Sequence, residues 1–136
     1  MLKTQKFIDQ WSEDALGTKS IFLALYQEML NYDKIRFEFN ERPGVSYSLR
    51  GIHLNQKDRS LFVMIDVIDD DPKQRWLSVC FYGDMIEDPD ERGDLIPEGL
   101  LGADGYCFDI TEADADMEKY VGQRIREAYA KAGNNR

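Results

Sequence analysis

Few residues in this chain carry chemistry, and most sit where a sheet would place them. Asp66 falls inside an apolar run, Leu61–Ile68, rather than on a connector. A carboxylate there is partly buried and needs a donor. It serves either as one half of an ion pair, with Arg75 across the following turn or with Arg50, or as a raised-pKa acid in a ligand pocket. Ser46, Ser48 and Arg50 share one face of the strand before it, and Trp76, Ser78 and Cys80 share one face of the strand after it. Ser48, Arg50, Asp66, Arg75, Trp76 and Cys80 therefore make a candidate polar-aromatic patch, suited to a small anion or a peptide.

Other constellations are scarce. His53 is the only histidine, so a Ser-His-Asp arrangement would have to use it. It lies in the connector Gly51-Ile52-His53-Leu54-Asn55, the setting of a surface or hydrogen-bonded structural histidine. Cys80 and Cys107 sit in apolar strand-like runs with 26 residues between them, which suggests buried small hydrophobes and lacks zinc-ligand spacing. The segment Asp84–Asp94, DMIEDPDERGD, offers carboxylates to a hard cation, but the EF-hand order is absent and acid runs on turns are usually solvated faces. No glycine-rich phosphate loop, GxSxG elbow, CxxC, HExxH or kinase signature is present. The expectation is no catalytic residue, no metal and no cofactor.

Positioning such a patch requires a sheet. Leu61–Ile68 and Trp76–Tyr82 are apolar on both sides, which predicts two inner strands covered on both faces. Ile35–Asn40 and Val45–Arg50 alternate apolar with polar residues around the turn Glu41-Arg42-Pro43-Gly44, the pattern of a half-buried hairpin. Tyr106–Ile110 reads as a fifth strand. Gly83–Gly105, with Pro89 and Pro97, reads as a long connector that packs down through its leucines and isoleucines and holds a helical turn or a function. Helical spacing marks Phe7, Ile8, Trp11, Ala15 and Leu16, then Phe22 to Leu30 behind Ser20 as N-cap. A long terminal helix starts at a Thr111/Asp114 capping box, carries Met117, Tyr120, Val121, Ile125, Ala128, Tyr129 and Ala132 inward, and stops at Gly133. The predicted fold is α+β: an antiparallel sheet of about five strands, two N-terminal helices and a long C-terminal helix packed on it, in one domain spanning 1–136.

Charge narrows the partners. The net charge is −9, and Asp66–Glu118 alone holds 17 acids against Lys73, Arg75 and Arg92. Acids concentrated in this way repel phosphate backbones, so nucleic acid is an unexpected partner. No apolar run approaches the roughly 20 residues that span a bilayer, and Met1–Leu16 lacks a secretory core, so the expected setting is cytoplasmic, with reduced thiols.

The blocks ERPGVSYSLR, LFVMIDVIDDDP, RWLSVCFYGDMI and GLLGADGYCFDI resemble a group of small bacterial proteins of unknown function, over about Glu41 to Ile110. More loosely, the order of helix, antiparallel sheet and terminal helix is similar to small proteins of the YjbR type. That resemblance implies a compact α+β domain and supplies no activity; the DNA binding suggested for that group is opposed here by the charge. The functional expectation is a cytoplasmic, non-catalytic binding or protein-interaction domain. The rival is a small-ligand-binding protein or enzyme using the patch around Arg50, Asp66, Arg75 and Cys80. The expected partner is a protein or a second copy, in a homodimer through Met85–Leu101 or the outer strand Ile35–Asn40, because closed twofold pairs are the commonest oligomers.

Overall fold

The two apolar runs become the middle of a sheet. The computed structural model describes residues 2–134. Helices α1 (Leu2–Gln10) and α2 (Lys19–Leu30) come first, followed by strands β1 (Ile35–Arg42), β2 (Ser46–His53), β3 (Val63–Ile68) and β4 (Trp76–Tyr82). A 3₁₀ turn, Gly83–Met85, leads through a connector to β5 (Asp94–Leu100) and β6 (Ala103–Ile110), and α3 (Ala115–Gly133) follows. The fold is α+β, with neighbouring strands antiparallel in the order β1-β2-β3-β4-β6-β5.

The sheet has six strands rather than about five. β5 lies in the stretch expected to be a connector, where Pro97 and a bulge between Ile96 and Leu100 erase the alternating signal. An edge strand tolerates both, because one row of its backbone groups faces solvent. Met85, Ile86 and Leu100 do turn into the core from that stretch, whereas Leu95, Ile96 and Leu101 are exposed.

Strand parity decides what each face meets. In register across the sheet, Phe39 stands opposite Leu49, Leu49 opposite Ile65, Ile65 opposite Val79, and Val79 opposite Phe108. The helices pack on this face: Phe7 of α1 against Phe39 and Tyr47, Tyr26 of α2 against Phe37, and Tyr120 of α3 against Phe108. Val63, Ile65, Val79 and Phe81 are 0 % exposed, as expected of inner strands. The expectation that both faces of β3 and β4 are covered is corrected: among the described residues all three helices lie on one side. Met64, Cys80 and Tyr82 on the other face are buried all the same, and Arg59 of the connector after β2 lies over the Tyr82 ring.

Helix ends also differ from expectation. Thr18, not Ser20, occupies the N-cap of α2, and its hydroxyl is spent on the Arg75 carbonyl at 2.7 Å. α3 is capped by Asp114 itself, whose carboxylate accepts from the N–H groups of Asp116 and Met117. Gly133 is the last residue of that helix rather than the residue past its end, Asn134 is the C-cap, and a Cβ at 133 would come within 2.9 Å of His53 Nε2.

The connector before β5 is held by one carboxylate. Asp88 accepts from the Tyr106 and Tyr120 hydroxyls and from the N–H groups of Arg92 and Gly93. Burial works against its charge, yet these four donors outweigh it and hold its pKa down at about 2. The connector is thereby fastened to β6 and α3 together.

At the opposite end of the sheet Arg75 and Asp69, each 5 % exposed, form a buried ion pair at 2.7 Å. The guanidinium lies over the rings of Phe7, Trp11 and Tyr47, and the second carboxylate oxygen accepts from the Gly44 N–H at 2.8 Å. Removing one member of such a pair strands the other charge away from water. Arg75→Ala should lower the unfolding free energy by about 3–5 kcal/mol, read as a fall in urea midpoint, whereas Lys73→Ala on the exposed connector should leave it nearly unchanged.

Candidate functional site

The uncovered face of the sheet carries two adjacent rows of side chains that could act on another molecule. One row runs Glu38, Arg50, Met64, Cys80, Cys107 and Asp94; the next runs Asn40, Ser48, Asp66, Ser78 and Asp109. Each row crosses the strands because residues of one parity point to one side. Arg42, Ser46, Ile68 and Trp76 make a third row beside them.

Five of the six expected site residues meet here. Ser48, Arg50, Asp66, Trp76 and Cys80 share this face on three consecutive strands. Arg75 does not join them. It precedes β4, turns to the helix side and is committed to Asp69, so the expected Asp66–Arg75 ion pair is absent and Arg50 is the arginine beside Asp66. Strand parity hinted at this, since Arg75 and Trp76 must point to opposite faces.

A polar chain runs across the first three strands. The Asn40 side-chain oxygen, in the amide orientation that satisfies both groups, accepts from Arg50 Nη1 at 2.9 Å. Arg50 Nε donates to Ser48 Oγ at 3.3 Å, and the Ser48 hydroxyl bonds to Asp66. Asp66 Oδ1 is buried and has no partner among the described residues. Burial pushes the Asp66 carboxyl up from its ordinary value, opposed in smaller measure by Ser48 and by the charges of Arg50 and Arg42. Toward β6, Asp109 is also raised, by burial first and then by the charge of Asp94 diagonally across the pair.

Cys80 and Cys107 face each other in register, with Cα atoms 4.1 Å apart, and their sulfurs are bonded. The expectation of two separate thiols is corrected. Each cysteine does lie in an apolar run, but only the strand register shows that the runs are neighbours through β6. Ser78 Oγ lies 3.5 Å from Cys80 Sγ, so the disulfide forms part of the floor of this face.

The other expected features take structural roles. His53 is buried at the end of β2, its Nδ1 accepts from the Asn55 N–H, and burial together with the nearby Lys34 charge lowers its pKa. Asp84 is held by Arg59, and Asp88 by its four donors. Among the described residues no group of three or more His, Cys, Asp or Glu is placed to hold a metal ion, and no helix is long and apolar enough to cross a membrane. A cleft of about 530 Å³ opens at the β1 edge of this face, between Leu2, Lys3, Glu38 and Asn40, and three smaller ones lie elsewhere. One of about 330 Å³ lies between Gln56, Arg59, Asp84 and Lys131, one of about 290 Å³ beside Asp88 and Tyr106, and one of about 210 Å³ beside Arg75. Asn40, Arg42, Asp94, Cys107 and Asp109 were not singled out in the sequence as part of the patch, since only strand pairing brings them to it.

The fold and this face define a class: an α+β domain with a one-sided antiparallel sheet. Comparison with protein-family models, curated proteins and solved structures found no match, so the geometry alone carries the functional reading.

Two outcomes test this description. A carboxyl raised by folding contributes stability that is fully present below its unfolded pKa and is lost as pH rises through its folded value. Asp66→Asn should therefore be more stable than the wild type at pH 7, with the difference shrinking as the pH falls into the carboxylate range; a gain equal at all pH values would contradict the raised carboxyl. A bridge with a sequence separation of 27 constrains the unfolded chain, so reduction should lower stability by about 3–4 kcal/mol, visible as a lower guanidinium midpoint that Cys80→Ser/Cys107→Ser reproduces without reductant.

Proposed function

We propose that this chain is a non-catalytic binding domain that presents the uncovered face of its sheet to a protein partner. The observation that carries the reading is the Asp66 oxygen, buried in the middle of that face and left without a donor. Buried polar atoms are nearly always satisfied, and an orphan in the centre of an uncovered layer is what a partner's N–H or O–H would complete. The half-buried Trp76 and Ile68 nearby and the long side chains of Arg42 and Arg50 supply the mixed aromatic, aliphatic and arginine surface that interfaces favour. The net charge of −9 and the acids of β6 and β5 argue against a phosphate backbone as the ligand. The proposed compartment is the cytoplasm, where glutathione would hold Cys80 and Cys107 as thiols; a disulfide recovered intact from native cells after thiol blocking would move the protein to an oxidising compartment.

A small-ligand reading draws on the same atoms, with Arg50 as the anchor for an anion and Asp66 as a proton donor. The raised Asp66 carboxyl favours it. The clefts of about 210–530 Å³ are lined by neither Arg50 nor Asp66, so the protein partner is the better fit.

A photo-crosslinking residue introduced at Ser46 samples the uncovered face, and one at the exposed Gln123 of α3 serves as control. Irradiation in native cells should give adducts of defined mass from position 46 and none from position 123. Position 46 without adducts would overturn the reading. A metabolite that raises the wild-type Tm but leaves Arg50→Ala unmoved would replace it with the small-ligand one.

A further inference from the structure

One edge of the sheet is guarded and the other is open. β5 carries Pro97, a bulge between Ile96 and Leu100 and a positive φ at Glu98, devices that keep an outer strand from pairing. β1 has none of them, and it runs from Ile35 to Arg42 in unbroken register with β2. The Leu54 N–H donates to the Lys34 carbonyl, and that parity repeats along the hairpin. Arg36, Glu38 and Asn40 therefore turn their backbone groups to β2. The N–H and C=O groups of Ile35, Phe37 and Phe39 point outward, where the described residues supply no neighbouring strand. Beside this edge lies the cleft of about 530 Å³, bordered by Phe39 and by Leu2, which is 73 % exposed.

A strand laid along this edge meets Ile35, Phe37 and Phe39 on the helix side and Arg36 and Glu38 on the uncovered side. β1 of a second copy carries the matching order. With a twofold axis normal to the sheet at Phe37, each Phe37 faces the other and Ile35 faces the partner's Phe39. These are the outward-pointing residues, so each facing pair exchanges its backbone hydrogen bonds. Arg36 then stands opposite the partner's Glu38 in the closer, non-hydrogen-bonded position, twice by symmetry. Within one chain Arg36 and Glu38 already pair at 3.2 Å, so the four side chains make a square of alternating sign. Other registers fail. An axis at Arg36 or Glu38 sets that charge against itself, and one at Phe39 sets Arg36 against Arg42. An axis at Asn40 leaves Phe39 facing Glu41 and Phe37 facing Pro43, which has no N–H.

We propose that β1 pairs antiparallel with β1 of a second copy about Phe37, joining two sheets edge to edge in a homodimer. The register brings Ile35 of the partner subunit level with Phe39, beside the cleft that Leu2 borders. Lys34, with φ +60°, ends the ladder just before Ile35. About five residues of each chain then pair, roughly 17 Å of strand, so the dimer is weak, with a Kd in the micromolar range. Because the axis is normal to the sheet, both uncovered faces remain on the same side, free to bind. The edge pairing does not depend on what those faces hold.

The test uses the purified full chain and two single variants, Arg36→Glu and Glu38→Arg, with folding checked by circular dichroism. Both side chains are exposed, so neither change disturbs the core. At roughly 100 µM, light scattering of the wild type should give about twice 15.8 kDa. Each variant alone puts four like charges in the square and should dimerise about tenfold more weakly or worse, its mass falling toward 15.8 kDa. An equimolar mixture of the two should restore the doubled mass, since one copy then brings two acids and the other two bases. Hydrogen exchange locates the contact: the N–H groups of Ile35, Phe37 and Phe39 should exchange slowly in the wild-type dimer and quickly in either variant. A wild type at 15.8 kDa, a doubled mass with those amides unprotected, or a mixture of folded variants that stays monomeric would each overturn the proposal. A monomeric wild type whose edge, carrying a photo-crosslinking residue at position 38, joins a different protein in native cells would give the edge to another chain's strand instead. Crosslinks from position 46 test the uncovered face, so the two readings fail separately.

Discussion

The ion pair between Asp69 and Arg75 is the constraint on which the rest of the architecture hangs. Four separate pieces of chain meet at it. Gly44, in the turn between β1 and β2 with φ +84°, donates its N–H to Asp69, and the Asp69 N–H donates to the Val45 carbonyl. Phe7 and Trp11 at the end of α1 close over the guanidinium, and Thr18 at the start of α2 takes the Arg75 carbonyl. The Ala15 N–H donates to the Lys73 carbonyl in the same neighbourhood. A pair this deep loses much of its Coulomb gain to dehydration, and what it contributes is the geometry in which the helix corner and two turns fit together.

The one-sided sheet follows from how the apolar residues are distributed. All three helices find their apolar partners on the parity that includes Leu49, Ile65, Val79 and Phe108. The opposite parity offers serines, cysteines, aspartates and arginines, with Ile52, Met64, Ile68, Trp76 and Tyr82 distributed among them. What remains on that side is a surface whose central groups are dehydrated by their neighbours while its rim stays wet. The raised carboxyls of Asp66 and Asp109 have this origin.

Much of the fold could be read from residue order. Alternation placed β1, β2 and β6, the two apolar runs placed β3 and β4, and helical spacing placed α3, because each pattern is local and long enough to stand above noise. β5 escaped because an edge strand with a proline has no alternation to detect. The caps at Thr18 and Asp114 escaped because several Ser, Thr and Asp residues crowd each helix start, and only the tertiary demand of Arg75 shows which hydroxyl is already taken. The candidate site was legible where it depended on parity, as with Ser48, Arg50, Asp66, Trp76 and Cys80. It was illegible where it depended on which strand lies next to which. The sequence order β4, β5, β6 gives no sign that β6 inserts between its predecessors, and so none that Cys107 and Asp109 belong beside Cys80 and Ser78.

That insertion has a consequence for how the chain assembles. β6 leaves the ribosome after the five other strands of this sheet, yet it occupies an interior place, and until it arrives β4 presents a raw edge to every other strand in the cell. Local hairpins can form early, but this pairing must wait for a segment some thirty residues downstream, the kind of non-local contact that slows folding and exposes intermediates. A slip of one residue as β6 docks would turn Cys107 toward the helices and away from Cys80. The two sulfurs therefore report the register: only a chain that has threaded this strand correctly brings them within bonding distance.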